Sequence, residues 1–202
     1  MVEIFEHAAP KRELPLSQLM ACVGVETSES VLVRGITHDN RKVEPGWIFA
    51  ALPGFKRHGA EFVQDAIASG AVAVLTDKSA ELQVDVPVIR VADPRQLLGY
   101  VAAEIYDHPA EKMLSVGVTG TNGKTTTAHM VYAALMANEL QPLLLGTAGN
   151  RFGNETWAAE RTTPEAPDLH SMLACAQRLN GRSVVMEVSS HALRLDRVNG
   201  IN

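Results

Sequence analysis

Residues 115–131 read SVGVTGTNGKTTTAHMV, and this stretch limits what the chain can fold into more than any other. A short apolar run enters a turn carrying Gly117, Gly120 and Gly123, and Lys124 and Thr125 then open a helix-forming segment. Strand, glycine turn and helix, in that order, are what a parallel sheet needs where a buried strand passes the chain to a crossover helix. Glycine lets the backbone bend tightly and aim several N–H groups at one point. The first helical turn adds unpaired N–H groups and the positive end of the helix dipole. The segment is therefore expected to cradle phosphate. The strict pattern G-x-x-x-x-G-K-[ST] would place glycine where Val118 stands, so the loop departs from the commonest form.

A nucleoside triphosphate with Mg²⁺ is the ligand such a turn predicts. Gly120, Thr121, Asn122, Gly123, Lys124, Thr125 and Thr126 form the expected nucleotide contact, with the Lys124 ammonium reaching the β- and γ-phosphates and the Thr125 hydroxyl holding the metal. The competing reading is a glycine-rich loop with an incidental lysine, which the strand–turn–helix order disfavours. A metal site needs more than one hydroxyl. The apolar run SVVMEV ends in Glu187, which suits a second ligand acting directly or through water. A strand-end glutamate by itself is ordinarily just solvated; beside a phosphate loop it becomes a candidate catalytic and metal-binding group together with Lys124. His129, on the helix after the loop, reads as a packing or surface histidine. His191, just past Glu187, either orients a ligand or has no role.

Further elements follow the same alternation. PLLLG and SVVMEV read as strands, and APDLHSMLACAQRL as a helix capped by Asp168 with Leu169, Met172, Leu173 and Ala176 on one face. In the first half WIFAAL, AVAVLT and VPVIRV read as strands, and GAEFVQDAIASG as a helix stopping at Gly70. DPRQLLGYVAAEIY begins a helix with Asp93 as cap and Pro94 at its first position, and ends near Tyr106. The polar, proline-bearing DHPAEK that follows is the expected domain boundary. The fold class is α/β: a small domain over residues 1–110, then the first part of a parallel-sheet phosphate-loop domain over 111–202. Ligands in such sheets gather at the carboxyl ends of the strands.

Composition excludes little beyond this, but usefully. With 46% hydrophobic and 20% charged residues the chain can build an ordinary globular core, and a net charge of −5 argues against a surface devoted to nucleic acid. Cys22 and Cys175 lack CxxC or CxxH companions and are expected as buried thiols. MVEIFEHAAP is acidic and carries no signal pattern, and no apolar run approaches ~20 residues, so no membrane insertion and a cytoplasmic location are expected.

GVTGTNGKTTT resembles the ATP loop of the Mur ligases, whose version has glycine at the Gly120 position rather than at that of Val118. That accounts for the departure from the strict pattern. RTTPEAPDL and MEVSSHALRLDRV resemble the branch of that family that adds the third amino acid of the peptidoglycan stem. ITHDNRKVEPGWIFAALPG resembles the family's uridine-nucleotide-binding N-terminal domain. The resemblance covers nearly the whole chain in the expected order. It implies an ATP-dependent ligase that joins an amino acid, meso-diaminopimelate or L-lysine, to UDP-MurNAc-L-Ala-D-Glu through an acyl phosphate. By motif position it implies that Thr162, Thr163, Ser189 and Arg197 contact the muramyl peptide. It places Asn40 and Arg41 in the uridine domain, Asn40 standing where many relatives have serine. It gives GFKRHG the loop in which Phe55 stacks on the base and Lys56 and Arg57 face the diphosphate, His58 standing where aspartate is frequent. The family's third, amino-acid-receiving domain would lie beyond Asn202, so the 202 residues alone are expected to bind but not to turn over. A UDP-sugar- and ATP-binding fragment, or an unrelated phosphotransferase sharing only the loop, are the alternatives. No guanine-specifying N-K-x-D is present to support the latter as a GTPase.

Overall fold

The structure, a computed structural model, describes residues 13–201; the acidic start MVEIFEHAAP lies outside the described residues. The chain divides into two compact units, one ending at Ile105 and the other running on from Tyr106.

The first unit opens with β1 (Leu14–Pro15), α1 (Leu16–Cys22) and β2 (Leu32–Val33), β1 and β2 pairing antiparallel. Then come β3 (Gly35–Thr37), β4 (Trp47–Ala51), α2 (Val63–Ala68), β5 (Ala71–Asp77), β6 (Val88–Val91) and α3 (Pro94–Ile105). β3, β4, β5 and β6 form a four-stranded, wholly parallel sheet in that spatial order. Side chains alternate across it. Phe49, Ala51 and Val74 pack with Val63 and Ala66 of α2, while α3 lies against β3 and β5. The start of α3 is as predicted: Asp93 Oδ1 accepts the N–H groups of Arg95 and Gln96, each at 3.0 Å. Cys22 corrects an expectation, being exposed rather than buried. It closes α1, a single short helix whose inward positions are Leu16, Leu19 and Met20.

The second unit holds β7 (Leu114–Val118), α4 (Lys124–Ala137), β8 (Pro142–Leu145), β9 (Asn150–Phe152), β10 (Glu155–Trp157), α5 (Ala166–Arg178), β11 (Ser183–Glu187) and α6 (Ser190–Arg194). Its sheet runs β10-β9-β8-β11-β7, with β11 parallel to both β8 and β7. Leu143, Leu145, Val184 and Met186 face α5 through Leu169 and Leu173. Leu144 and Val185 face α4 through Ala128, Tyr132 and Leu135. Both faces are thus covered, which is why these strands are apolar throughout. The β9–β10 hairpin is an addition to the predicted parallel strands; Phe152 pairs with Glu155 across Gly153 and Asn154, and Gly153 takes the positive φ of 58° that such a two-residue turn requires.

One cap differs from expectation. α5 starts at Ala166, two residues before Asp168, and its cap position is Glu165, with no side-chain cap bond. Pro167 is comfortable in a first turn, where no N–H is needed, so the helix extends back past Asp168. That carboxylate still lies in the first turn, where the dipole favours it. Among the described residues no helix is long and apolar enough to cross a membrane.

Candidate nucleotide and acceptor site

β7 ends at Val118 and α4 begins at Lys124, so five residues make the turn between them. Gly120 and Gly123 hold φ of 149° and 78°, and Gly123 is the N-cap of α4. A Cβ at Gly123 would meet nothing within 4 Å, so the demand for glycine there is conformational rather than one of space. No side chain caps α4, which leaves its first N–H groups to the loop's concavity. Lys124, half-buried, bends back so that Nζ donates to Gly120 O at 2.8 Å. The ammonium therefore sits over the loop it was expected to serve.

The next residue reaches the neighbouring strand. Thr125 Oγ1 lies 3.0 Å from both Glu187 Oε1 and Oε2, bridging 62 residues of sequence. Register explains the encounter: Val118 and Glu187 are partners at the ends of β7 and β11, so the first turn of α4 rises directly beside the carboxylate. Glu187 is 2% exposed. Thr147 donates its N–H to Oε1 at 2.9 Å and places its hydroxyl 3.3 Å from Oε2. A buried carboxylate among hydroxyls is an all-oxygen donor set of the hard kind that suits Mg²⁺, an ion that keeps waters and phosphate oxygens and needs few protein ligands. Among the described residues no cluster of three or more His, Cys, Asp or Glu occurs.

Gly146 makes room for this carboxylate. A Cβ there would collide with Glu187 Oε1 and come within 3.1 Å of its Cδ. Gly146→Ala is accordingly expected to push aside the carboxylate, the movable end of a side chain, at a stability cost of about 1–3 kcal/mol. Losing a hydrogen bond to a charged group should weaken Mg·ATP binding about tenfold or more. Calorimetry beside a thermal melt checks both, and unchanged affinity would show that Glu187 keeps its place.

The residues expected on the acceptor side adjoin this pair. Thr147 Oγ1 is 3.0 Å from Thr162 Oγ1. Thr163 is fully buried, its hydroxyl donating to Glu187 O at 2.8 Å and accepting from Ser189 N at 3.1 Å. Ser189 caps α6 by accepting the Ala192 N–H at 3.1 Å. Arg197 donates through Nη1 to Thr163 O at 3.4 Å and pairs through Nη2 with Glu165 Oε1 at 2.8 Å. Thr163, Ser189 and Arg197 thus hold the strand end and the α6 turn as well as lying beside the site. His191 is exposed on α6, and His129 is exposed on α4, as expected of a surface histidine.

Two family profiles match the chain: "Mur ligase family, catalytic domain" over residues 32–106 and "Mur ligase middle domain" over residues 118–202. The chain belongs to the Mur ligase family. Among curated Mur ligases it is 47% identical over 190 residues to the UDP-N-acetylmuramoyl-L-alanyl-D-glutamate–2,6-diaminopimelate ligase of Streptomyces avermitilis, covering 92% of this chain and 37% of that protein. It is 38% identical over 177 residues to the ligase of the same name from Clostridium perfringens, covering 88% of this chain and 37% of that one. A solved structure of a UDP-N-acetylmuramoyl-L-alanyl-D-glutamate–2,6-diaminopimelate ligase superposes with a TM-score of 0.79 at 26% identity, covering 94% of this chain and 38% of the other. MurF from Acinetobacter baumannii, at 24% identity and a TM-score of 0.61, shares the fold over 90% of this chain and 37% of its own. This Mur ligase chain therefore spans under two fifths of the length of the relatives it matches.

The remaining residues singled out in this Mur ligase chain lie in the first unit. Asn40 and Arg41 form a single helical turn with Lys42, and Asp39 caps it by accepting from Arg41 N at 3.0 Å. Arg41 Nε and Nη2 clasp the same carboxylate at 2.9 and 2.6 Å, holding the Asp39 carboxyl down to about 2. Phe55 is 86% exposed and Lys56 is exposed beside it. Arg57 pairs with Glu61 at 2.8 Å and lies 4.3 Å from the Phe62 ring centre. His58 caps the following turn: Nδ1 accepts from Ala60 N at 2.9 Å, and Nε2 is 3.3 Å from Asp77 Oδ2. An accepting Nδ1 fixes the proton on Nε2, so the ring donates to Asp77.

Sequence reasoning missed Thr147, Gly146 and Glu165. The first two stand in GTAGN directly after β8, and their place at a parallel strand's carboxyl end was a usable signal. Glu165 had none, since its partner is distant in sequence.

Proposed function

We propose that this chain is the nucleotide- and acceptor-binding part of an ATP-dependent ligase that joins a diaminopimelate-type amino acid to UDP-MurNAc-L-Ala-D-Glu. The observation that carries the reading is the meeting of Thr125 and Glu187 at the mouth of the phosphate loop, with Thr162 two hydrogen bonds further on through Thr147. The names of its relatives supply the acceptor and the amino acid. The uridine nucleotide is assigned to residues 1–110 and the triphosphate to residues 111–202.

The chemistry fits this division of labour. A carboxylate and an amine at neutral pH form a salt, because carboxylate oxygen is a poor leaving group. Transfer of the γ-phosphoryl group to the acceptor's D-glutamyl carboxylate gives an acyl phosphate and ADP. Attack by the amine then forms the amide and expels phosphate. The protein's contribution is positioning and charge neutralisation. Lys124 reaches from the loop to the β- and γ-phosphates, the N–H groups of the turn and α4 bind their oxygens, and Thr162 and Arg197 hold the acceptor. Thr125 and Glu187 would hold Mg²⁺, whose charge would offset that of the phosphates.

Calorimetry tests the reading without requiring turnover. The chain should bind Mg·ATP and UDP-MurNAc-L-Ala-D-Glu. Lys124→Ala should weaken Mg·ATP about tenfold or more through a lost charge-assisted hydrogen bond, and Thr162→Ala should weaken only the muramyl nucleotide. Equal affinities across all three proteins would remove both assignments.

A further inference from the structure

We infer that Thr147 is a positioning residue that couples the nucleotide half of this site to its acceptor half; the inference rests on the function just proposed. An unbroken path of short contacts runs from Thr125 to Glu187 at 3.0 Å, from Glu187 to Thr147 at 2.9 Å through the N–H and 3.3 Å through the hydroxyl, and from Thr147 to Thr162 at 3.0 Å. Thr125 opens the helix of the phosphate loop. Thr162 belongs to the segment assigned to the muramyl peptide. Thr147 is the group between them, on the turn after β8, and the Gly149 N–H closes that turn on Gly146 O at 3.1 Å.

The coupling lies in one proton. A threonine hydroxyl donates once and accepts through its lone pairs. Given to Glu187 Oε2, the Thr147 proton leaves its oxygen as acceptor for the Thr162 hydroxyl, which then points inward. Given to Thr162 Oγ1, it frees the Thr162 proton to point out at a ligand oxygen. Which arrangement prevails depends on how strongly Glu187 attracts the donor. Positive charge brought to Glu187 from the nucleotide side weakens that attraction and releases the Thr147 proton toward Thr162. A ligand oxygen accepting from Thr162 favours the same arrangement. Two ligands that favour the same state of one element assist each other's binding, and by linkage the assistance is equal in both directions. The Thr147 N–H to Oε1 bond is backbone and survives substitution by any residue but proline, so the side chain can be removed while the carboxylate keeps an anchor.

The test is calorimetric titration of UDP-MurNAc-L-Ala-D-Glu into this chain, alone and with saturating Mg²⁺ and the non-hydrolysable analogue AMP-PNP. The unaltered chain should bind the muramyl nucleotide about fivefold or more tightly with the analogue present. Thr147→Val, which keeps the shape and removes the hydroxyl, should bring the ratio to within about twofold of one, and Thr147→Ser should restore it. Because each ratio compares one protein with itself, partial unfolding of a variant does not imitate the result. A ratio in Thr147→Val equal to that of the unaltered chain overturns the inference, as does an unaltered chain that binds both ligands without coupling. A chain that binds neither ligand overturns the proposed function, and the coupling with it.

Discussion

Replacing Arg197 by methionine is expected to lower the free energy of unfolding of this chain by about 3–5 kcal/mol, the usual cost of breaking a buried ion pair from one side. The partner left behind is Glu165, whose side chain is only 5% exposed, and Arg197 itself is 11% exposed. Arg161 Nε, at 3.8 Å from the same oxygen and nearly half exposed, is a poor substitute. Removing both charges together, Glu165→Gln with Arg197→Met, should recover a good part of the loss, because no uncompensated charge then remains in the interior. Urea unfolding of the four proteins completes the cycle, and a double variant whose loss equals the sum of the two single losses would show that the pair contributes no coupling. The outcome bears on function. Arg197 Nη1 and Nη2 already bond Thr163 O and Glu165, so a lost affinity in Arg197→Ala mixes ligand contact with a loosened α6 turn. Glu165→Gln separates the two: the guanidinium remains, its main anchor becomes neutral, and any gain in its reach toward an anionic ligand appears as tighter binding.

What the sequence made legible follows from distance along the chain. The phosphate turn lies within ten residues, and its glycines, lysine and threonine announce themselves by local chemistry; the structure places them at a strand–helix junction with Gly123 as cap. Glu187 was readable because an apolar run ending in a carboxylate defines a strand's end. The pairing of Glu187 with Thr125 follows only from β7 and β11 being neighbours, a fact of topology. Thr147 escaped notice because a threonine in a turn has many uses, and its use here depends on a carboxylate 40 residues away. The β9–β10 hairpin carried a local signal in Gly153 and Asn154, but its three-residue strands are too short for alternation to stand out. Asp168 was a reasonable cap by composition, and lost the place because Pro167 let the helix start sooner. Glu165 and Arg197 could not be matched by eye, since opposite charges distant in sequence pair in too many ways until the strands fix their places.

Acidification should destabilise this chain by about 3 kcal/mol between pH 6.5 and pH 4 through one histidine alone. His170 is fully buried on α5, with Nε2 3.0 Å from Asn199 O and Nδ1 buried without a hydrogen-bond partner. The carbonyl can only accept, so Nε2 carries the proton and Nδ1 is a bare lone pair. Charging the ring would place a cation in the core with one new N–H unanswered. Burial therefore pulls its pKa from 6.5 to about 4; the Asn199 carbonyl opposes the fall and the nearby His108 adds to it. The sign follows from proton counts. Above pH 6.5 the ring is neutral in both the folded and the unfolded chain, and the full stability is present. As the pH falls below 6.5 the unfolded chain takes up a proton that the folded chain refuses until about pH 4. At 1.36 kcal/mol per pH unit, that window amounts to about 3 kcal/mol, and nothing further is lost through this group below it. Carboxylates such as Asp39, held down to about 2, lose their contribution at lower pH and do not imitate the effect. His170→Gln keeps an N–H for Asn199 O but cannot titrate in this range, so its stability should change less steeply with pH by up to one proton. Urea midpoints at half-unit steps from pH 4 to 7 measure both slopes, and identical slopes would place the proton on some other group.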